Sequence, residues 1–449
     1  MPEAIFQFPP DFLWGTATAS HQVEGQNTNN NWYAWEQEDG RIHNGDKSGL
    51  ACDWWGGRWK EDLDRARDTG QNAHRMSIEW SRVQPTPDHW DEAALDHYRE
   101  ILRGMAEREL KPMVTLHHFT DPLWLVERGA WEDDGTPELF GRYASKVVEA
   151  LREWVDLWVT INEPNVYTYG GYMGGGFPPG KNETGTAFTV LKNMVRGHAL
   201  AYKAIHDLQP KARVGIAPNY RSFAPARSWM PFDKLMADFV SKSYNDAFPR
   251  ALVDGKLSFA FNKTEIPEAR GTMDFFGINY YTRDLVRFVL SPEKLFNERF
   301  YPEGAELSDT GFLANVPEGL FEGLKWAKSY GLPIYVTENG VEDANDDLRP
   351  RYLIQHIHQM WRAVNFNWDI HGYFEWSLVD NFEWERGWSQ RFGLWGLDVD
   401  SQARFRRASV DVYERICKEN GVASRMVAEF APEVMDNLFP GFNDFKQNS

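Results

Sequence analysis

Eight short apolar runs, several of them apolar on nearly every residue, recur along this chain, at 12–19, 73–80, 111–119, 157–163, 213–220, 274–282, 333–339 and 370–379. Amphipathic segments separate them. In Leu157-Trp158-Val159-Thr160-Ile161 the apolar character leaves no alternation, as expected of a strand buried on both faces in a parallel sheet. The intervening segments carry helical spacing. Trp59, Leu63 and Ala66 fall on one face, as do Leu353, Ile357, Met360 and Val364. A longer helix is expected to start with Thr136 as N-cap and Pro137 at its first position. Leu139, Tyr143, Val147 and Leu151 then form its stripe. The last helix, over 407–420, is expected to stop at Gly421 in the C′ position.

Eight strands alternating with helices predict a (β/α)₈ barrel. An open doubly wound sheet is the competing architecture, but no Gly-x-Gly-x-x-Gly follows the first strand and no Walker-type loop is present. With no linker, repeat or low-complexity tract, 1–449 is expected to be one barrel domain with a short C-terminal extension after about 421. The segment 283–317 is too long for an ordinary βα connection, so it is expected to loop over the mouth. In the tail, Met426, Phe430, Leu438 and Phe439 are expected to pack on the barrel wall.

A net charge of −18 argues against nucleic-acid and anionic-membrane partners, which need basic surface. The chain has 2 cysteines, Cys52 and Cys417, so it has neither a disulfide framework nor zinc-ligand spacing. It starts without a basic segment followed by an apolar one, and no run of about 18 apolar residues follows. A cytoplasmic protein is expected. Sequons at Asn182-Glu183-Thr184 and Asn262-Lys263-Thr264 are then chance matches. Aromatic content is 15%, with 20 Trp, a supply of rings able to stack on sugar faces or to fill a large core.

Active sites of such barrels lie at the C-terminal ends of the strands. The fourth run ends Thr160-Ile161-Asn162-Glu163-Pro164, and the seventh ends Val336-Thr337-Glu338-Asn339-Gly340. Both glutamates would open onto one mouth. Here the chain resembles glycoside hydrolase family 1, the β-glucosidase and β-galactosidase family of retaining enzymes. The first motif is similar to its acid/base motif and the second to its nucleophile motif. The likeness runs from Phe8-Pro9-Pro10-Asp11-Phe12-Leu13-Trp14-Gly15 to Arg391-Phe392-Gly393-Leu394.

The resemblance implies a β-glucosidase that also accepts β-galactosides and β-fucosides, acting through a covalent glycosyl-enzyme without a cofactor. It implies Glu163 as acid/base and Glu338 as nucleophile. Gln22, His118, Asn162, Trp376, Glu383 and Trp384 would bind the sugar; Arg75, Asn279 and Tyr281 would surround the nucleophile. Glu338 is expected to be ionised beside Arg75 and Tyr281, and its charge is expected to raise the pKa of Glu163.

The chain also departs from the family pattern. His21 stands where Tyr is common. Gly311-Phe312-Leu313 replaces Gly-Trp-Glu, which makes Phe312 the aglycone-side ring. The glycone loop, Asp380-Asn381-Phe382-Glu383-Trp384, keeps a carboxylate that would repel a phosphate, so non-phosphorylated β-glycosides such as cello-oligosaccharides are the expected substrates. Two other readings compete: a transglycosylase sharing the same intermediate, and a non-catalytic sugar-binding barrel, although both glutamates are retained. A metal hydrolase built on His74, His117, His118 and His198 lacks a His-x-His at a strand end, so no metal is expected. The sequence does not set the oligomeric state.

Overall fold

A computed structural model describes residues 4–291 and 294–440. Residues 1–3, 292–293 and 441–449, including both ends of the expected domain, lie outside the described residues. Eight parallel strands close on themselves: β1 (Leu13–Ala17), β2 (Ala73–Ser77), β3 (Lys111–His117), β4 (Leu157–Asn162), β5 (Arg213–Ala217), β6 (Phe275–Phe288), β7 (Ile334–Asn339) and β8 (Ile370–Glu375). Neighbours pair in chain order. The ring closes where β8 sets Phe374 opposite Gly15 of β1, and β5 sets Gly215 opposite Phe275 of β6. This is the expected (β/α)₈ barrel.

Outside it run α1 (Trp59–Asp68), α2 (Glu92–Glu107), α3 (Thr136–Leu151), α4 (Thr184–Leu208), α5 (Ala247–Asp254), α6 (Glu318–Lys328), α7 (Arg349–Asn365) and α8 (Ala408–Glu419). Their apolar stripes bury against the strands: Leu63 and Ala66 on α1, Tyr143, Val147 and Leu151 on α3, and Leu353, Ile357 and Met360 on α7. β4 is buried at every position, which explains its lack of alternation. Among the described residues no helix is long and apolar enough to cross a membrane.

Three expectations need correction. Thr136 is not the N-cap of α3. That position falls on Gly135, and the Thr136 hydroxyl donates instead to the Ala130 carbonyl at 2.5 Å. At the end of α8, Asn420 adopts the left-handed conformation (φ 51°) expected of Gly421. Asparagine is one of the few residues with a side chain that adopt that conformation readily, and its amide here donates across the fold to the Phe8 and Pro9 carbonyls. Gly421 meets a different demand, because a Cβ there would lie 2.5 Å from the Phe6 carbonyl across a short antiparallel pair. Third, 283–317 does not begin as a loop. β6 runs on to Phe288 and forms a hairpin with 297–300 before the chain turns over the mouth. Burial alternates along that extension, the pattern of a strand with one face exposed. The tail packs as expected: Met426 is buried, Phe439 stacks on Phe6 at 4.3 Å, and Phe430 and Leu438 cover the core.

Candidate active site

Glu163 lies one residue past β4, as the N-cap of a short helix over Pro164–Tyr172, with φ at 42°. Left-handed backbone is uncommon for a residue with a side chain, and such strain gathers at functional sites. Glu338 is the penultimate residue of β7. Gly340 follows two residues later, and only glycine fits, since a Cβ there would sit 2.0 Å from the Trp376 carbonyl. Strand register shifts flank Asn162, Asn279 and Glu338. Such irregularities turn side chains out of the alternating pleat.

The expected residues converge. Arg75, buried on β2, donates from Nη1 to Glu338 Oε1 at 2.6 Å and from Nη2 to Asn162 Oδ1 at 2.6 Å. Its Nε reaches Thr115 Oγ1 and Nη1 also reaches the Thr337 carbonyl. The Tyr281 hydroxyl donates to Glu338 Oε2 at 2.7 Å. Asn279 has its carbonyl fixed by the Thr337 hydroxyl, so its amide donates to Asn162 Oδ1 and, at 3.0 Å, to Glu163 Oε1. The same amide also stabilises charge on Glu338. One amide in reach of both carboxyls brings them to the same side of the barrel mouth.

Both carboxyls are buried, and their surroundings differ. Burial, then the charge of Glu338, pushes the Glu163 carboxyl up to about 8. Burial is therefore the first cause, ahead of the neighbouring charge that the sequence suggested. Burial raises Glu338 too, but the Arg75 guanidinium and the Tyr281 hydroxyl oppose it. The bonded cation makes Glu338 the more acidic partner. One protonated and one ionised carboxyl around neutrality is what acid-assisted attack on a glycoside requires.

The remaining expected residues form one wall. Gln22 donates from Nε2 to Asn381 Oδ1 (3.0 Å), the Phe382 carbonyl (2.9 Å) and Glu383 Oε2 (3.2 Å), leaving its buried Oε1 without a protein partner. Asn162 accepts twice at Oδ1, so its amide faces His118 Nε2 at 3.0 Å. That nitrogen must then accept, which leaves His118 Nδ1–H as an unpartnered buried donor. Burial keeps His118 neutral, with its pKa well below the usual range. Trp376 and Trp384 flank His118 at 6.0 and 5.9 Å in near-parallel planes, and Trp376 also bonds Glu383. An unpaired donor, an unpaired acceptor and two rings suit a hydroxylated ring.

Phe312 is 38% exposed and lines the outer pocket, with the Arg386 guanidinium 5.0 Å above its ring. His21 stands behind Trp384, at 5.9 Å, and lies outside the pocket lining. His74, His117 and His198 are bonded to Thr16 and Thr18, to Asp121, and to Thr160 and the Thr272 carbonyl respectively.

Sequence reasoning missed several lining residues. Asn219, just beyond β5, donates to Glu163 Oε1 at 2.9 Å, and the Tyr244 hydroxyl bonds Asn219 Oδ1. The strand-end rule applied to Pro218-Asn219-Tyr220 would have found Asn219. Arg221, Glu385, Arg386 and Gln390 also line the mouth from irregular or edge segments that carry no periodic signal.

A closed barrel whose mouth holds two unlike buried carboxyls beside a wall of aromatic rings and amide groups has the architecture of a glycoside-cleaving enzyme. The sequence profile of glycosyl hydrolase family 1 matches residues 5–422. The chain is 33% identical to "Beta-glucosidase A" of Thermotoga maritima, over 93% of this chain and 99% of that protein. It is 30% identical to a "Beta-galactosidase" of Pyrococcus woesei, over 94% and 99%. The solved structure of a β-glycosidase from Pyrococcus horikoshii superimposes with a TM-score of 0.89 at 36% identity, over 95% of this chain and 98% of that one. The chain belongs to glycosyl hydrolase family 1, and is thus a glycoside hydrolase.

Proposed function

We propose that this glycoside hydrolase is a retaining β-glucosidase that also accepts β-galactosides and β-fucosides, acting on non-phosphorylated glycosides such as cello-oligosaccharides. The observation that carries this is the unlike pair Glu163 and Glu338 within reach of one Asn279 amide. Ionised Glu338 attacks the anomeric carbon while protonated Glu163 gives its proton to the departing oxygen. Esterification removes the charge of Glu338, so the pKa of Glu163 falls. It then takes a proton from water, which attacks the anomeric carbon, releases the sugar and regenerates Glu338. Asn162 would bond the 2-hydroxyl, Gln22 and Glu383 would bridge neighbouring hydroxyls of either epimer, and His118, Trp376 and Trp384 would complete the wall. Glu385 stands near enough to Glu383 to raise its pKa further, and a sugar phosphate placed there would make ionisation of either carboxyl costlier still.

The chemistry proposed needs no cofactor, and the whole chain serves as one catalytic domain. Two buried free thiols, Cys52 and Cys417, support a cytoplasmic location, since a reducing compartment preserves them.

Glu338→Ala and Glu163→Ala, each given an activated β-glucoside plus azide, test the roles. Glu338→Ala should lose several orders of magnitude in activity and yield an α-glycosyl azide by direct attack. Glu163→Ala should accumulate the intermediate and yield the β-azide. Exchanged anomers by NMR would reverse the assignment. Near-normal activity of either variant on a disaccharide would remove that glutamate from the mechanism.

A further inference from the structure

The helix Pro231–Ser241, in the connection after β5, is seated with its apolar stripe outward. Phe232, Leu235, Met236 and Phe239 fall at i, i+3, i+4 and i+7, the spacing that ordinarily sets a helix on its core. The residues turned inward are instead Asp233 and Ala237. Asp233 accounts for this orientation. Its buried carboxylate accepts from the Arg227 backbone N–H at 3.1 Å, from Arg227 Nε and Nη2 at 2.8 Å each, and from the Phe288 backbone N–H at 3.0 Å. These bonds hold the polar side of the helix against the β6 extension and leave the stripe in water.

The stripe widens into a patch. Phe232 stacks on Phe288 at 5.3 Å, and Phe239 stacks on Phe261 at 5.4 Å. Trp229, Phe232 and Phe261 are 73, 58 and 89% exposed, and Leu235 and Leu290 are 66 and 89% exposed. The three rings alone leave roughly 330–550 Å² in water, already the size of the largest apolar patch on an ordinary monomer. The two leucines bring the face toward the about 800 Å² that each partner buries in a standard interface.

Charge tells what covers it. Lys234 and Asp238, four residues apart, lie exposed on one flank of the stripe, and neither has a side-chain partner among the described residues. Arg227 is already paired with Asp233. An anionic lipid surface would gain from cations alone, and the net charge of −18 works against it. A flank with one free charge of each sign matches a copy of itself. Across a twofold axis residue i meets j and j meets i. When two such helices meet antiparallel, the same flank of each faces the other, so Lys234 would meet Asp238 of the partner subunit, twice.

We propose that this face joins two copies of the chain into a twofold dimer, with the helices Pro231–Ser241 antiparallel, Leu235 and the surrounding rings packed together, and Lys234 paired with Asp238 of the partner subunit in both directions.

The test is sedimentation velocity of the full chain over a wide dilution series, with circular dichroism to check that each variant folds. The wild type should sediment as a dimer that dissociates on dilution. Leu235→Glu, at an exposed position, should keep the fold and raise the dimer Kd at least about a hundredfold, as for a charge set into the centre of an interface. Lys234→Glu and Asp238→Lys each create like-charge pairs, and each should raise Kd about three- to tenfold. The double variant, with the charges exchanged, should recover wild-type affinity. A wild type that stays monomeric throughout, or a dimer indifferent to Leu235→Glu, would overturn the proposal. Failure of the double exchange to recover affinity would overturn the antiparallel pairing. Co-sedimentation of a monomeric wild type with phosphatidylcholine–phosphatidylserine vesicles, lost in Leu235→Glu, would assign the face to lipid and overturn the dimer.

Discussion

Around Glu338 the polar groups hold one another. Arg75 spends its guanidinium on Glu338, Asn162, Thr115 and the Thr337 carbonyl, and Asn279 is pinned by Thr337. At the rim, Phe312 and Arg386 stand partly in solvent, touching each other and little else of the floor. Most of the floor comes from strand ends whose positions the barrel fixes, with Gln22 and Glu383 added from the segments after β1 and β8 and bonded to each other. The rim comes from connections whose lengths the barrel leaves free. A family can therefore hold its reaction constant in the first region while varying the leaving group in the second. A substitution in the floor should disturb every substrate, and one at the rim should sort them.

Glu383→Ala is the strongest test of the floor after the two glutamates. Its carboxyl contacts Gln22 and Trp376, and on the proposed function the sugar hydroxyls held there would help orient the reacting carbon. We expect kcat to fall and KM to rise together, with kcat/KM down by about two to three orders of magnitude on glucosides and galactosides alike. A loss confined to KM would mean that Glu383 binds the sugar without aligning it.

A smaller effect is expected at Arg75. The kcat/KM profile should be a bell whose acidic limb reports ionisation of Glu338 and whose alkaline limb reports the coupled acid Glu163, raised to about 8. The Arg75 cation favours ionised Glu338, so removing it raises that pKa and moves the acidic limb to higher pH. For Arg75→Met a displacement of about one to two pH units is expected. The alkaline limb should move less, because Arg75 is only a minor influence on Glu163. An acidic limb that stays in place would mean that Arg75 supports the fold around Glu338 without setting its charge.

The same division explains what could be read from the chain alone. Strand ends are marked in sequence by the close of an apolar run, so Glu163 and Glu338 stood out at recognisable places, whereas Asn279 and His118 entered through the family resemblance. Gln22 and Glu383 were found only through likeness to known motifs, since neither sits at the end of a run. Asn219 was at a strand end and was overlooked. Glu385, Arg386 and Gln390 gave no periodic signal, because their positions depend on how three separate connections meet. The errors at Thr136 and Gly421 have one cause: cap chemistry depends on which atom a side chain reaches, and residue type alone does not specify that.

The smallest predicted effect is at Phe312, and it bears most directly on the difference between floor and rim. As the aglycone-side ring of the proposed function, Phe312 would face the departing group, which has left once the covalent intermediate forms. Substrates limited by hydrolysis of the intermediate should therefore keep their kcat in Phe312→Ala, while kcat/KM, which reports the first step, should fall. The ring offers a partly exposed stacking face, so a loss of about two- to tenfold is expected for aryl and cellobiose-like leaving groups. The substitution also removes the ring beneath Arg386, an exposed cation–π contact worth about 0.5–1 kcal/mol, so part of the loss reflects a freer guanidinium. Phe312→Trp separates these contributions: a larger ring keeps the seat for Arg386 and extends the stacking surface, so kcat/KM should hold or rise for aryl glucosides. The measurement is kcat and kcat/KM across aryl β-glucosides of graded leaving-group acidity. A proportional drop in kcat on all of them would show that Phe312 acts on the floor, and the division between the two regions would not hold at this position.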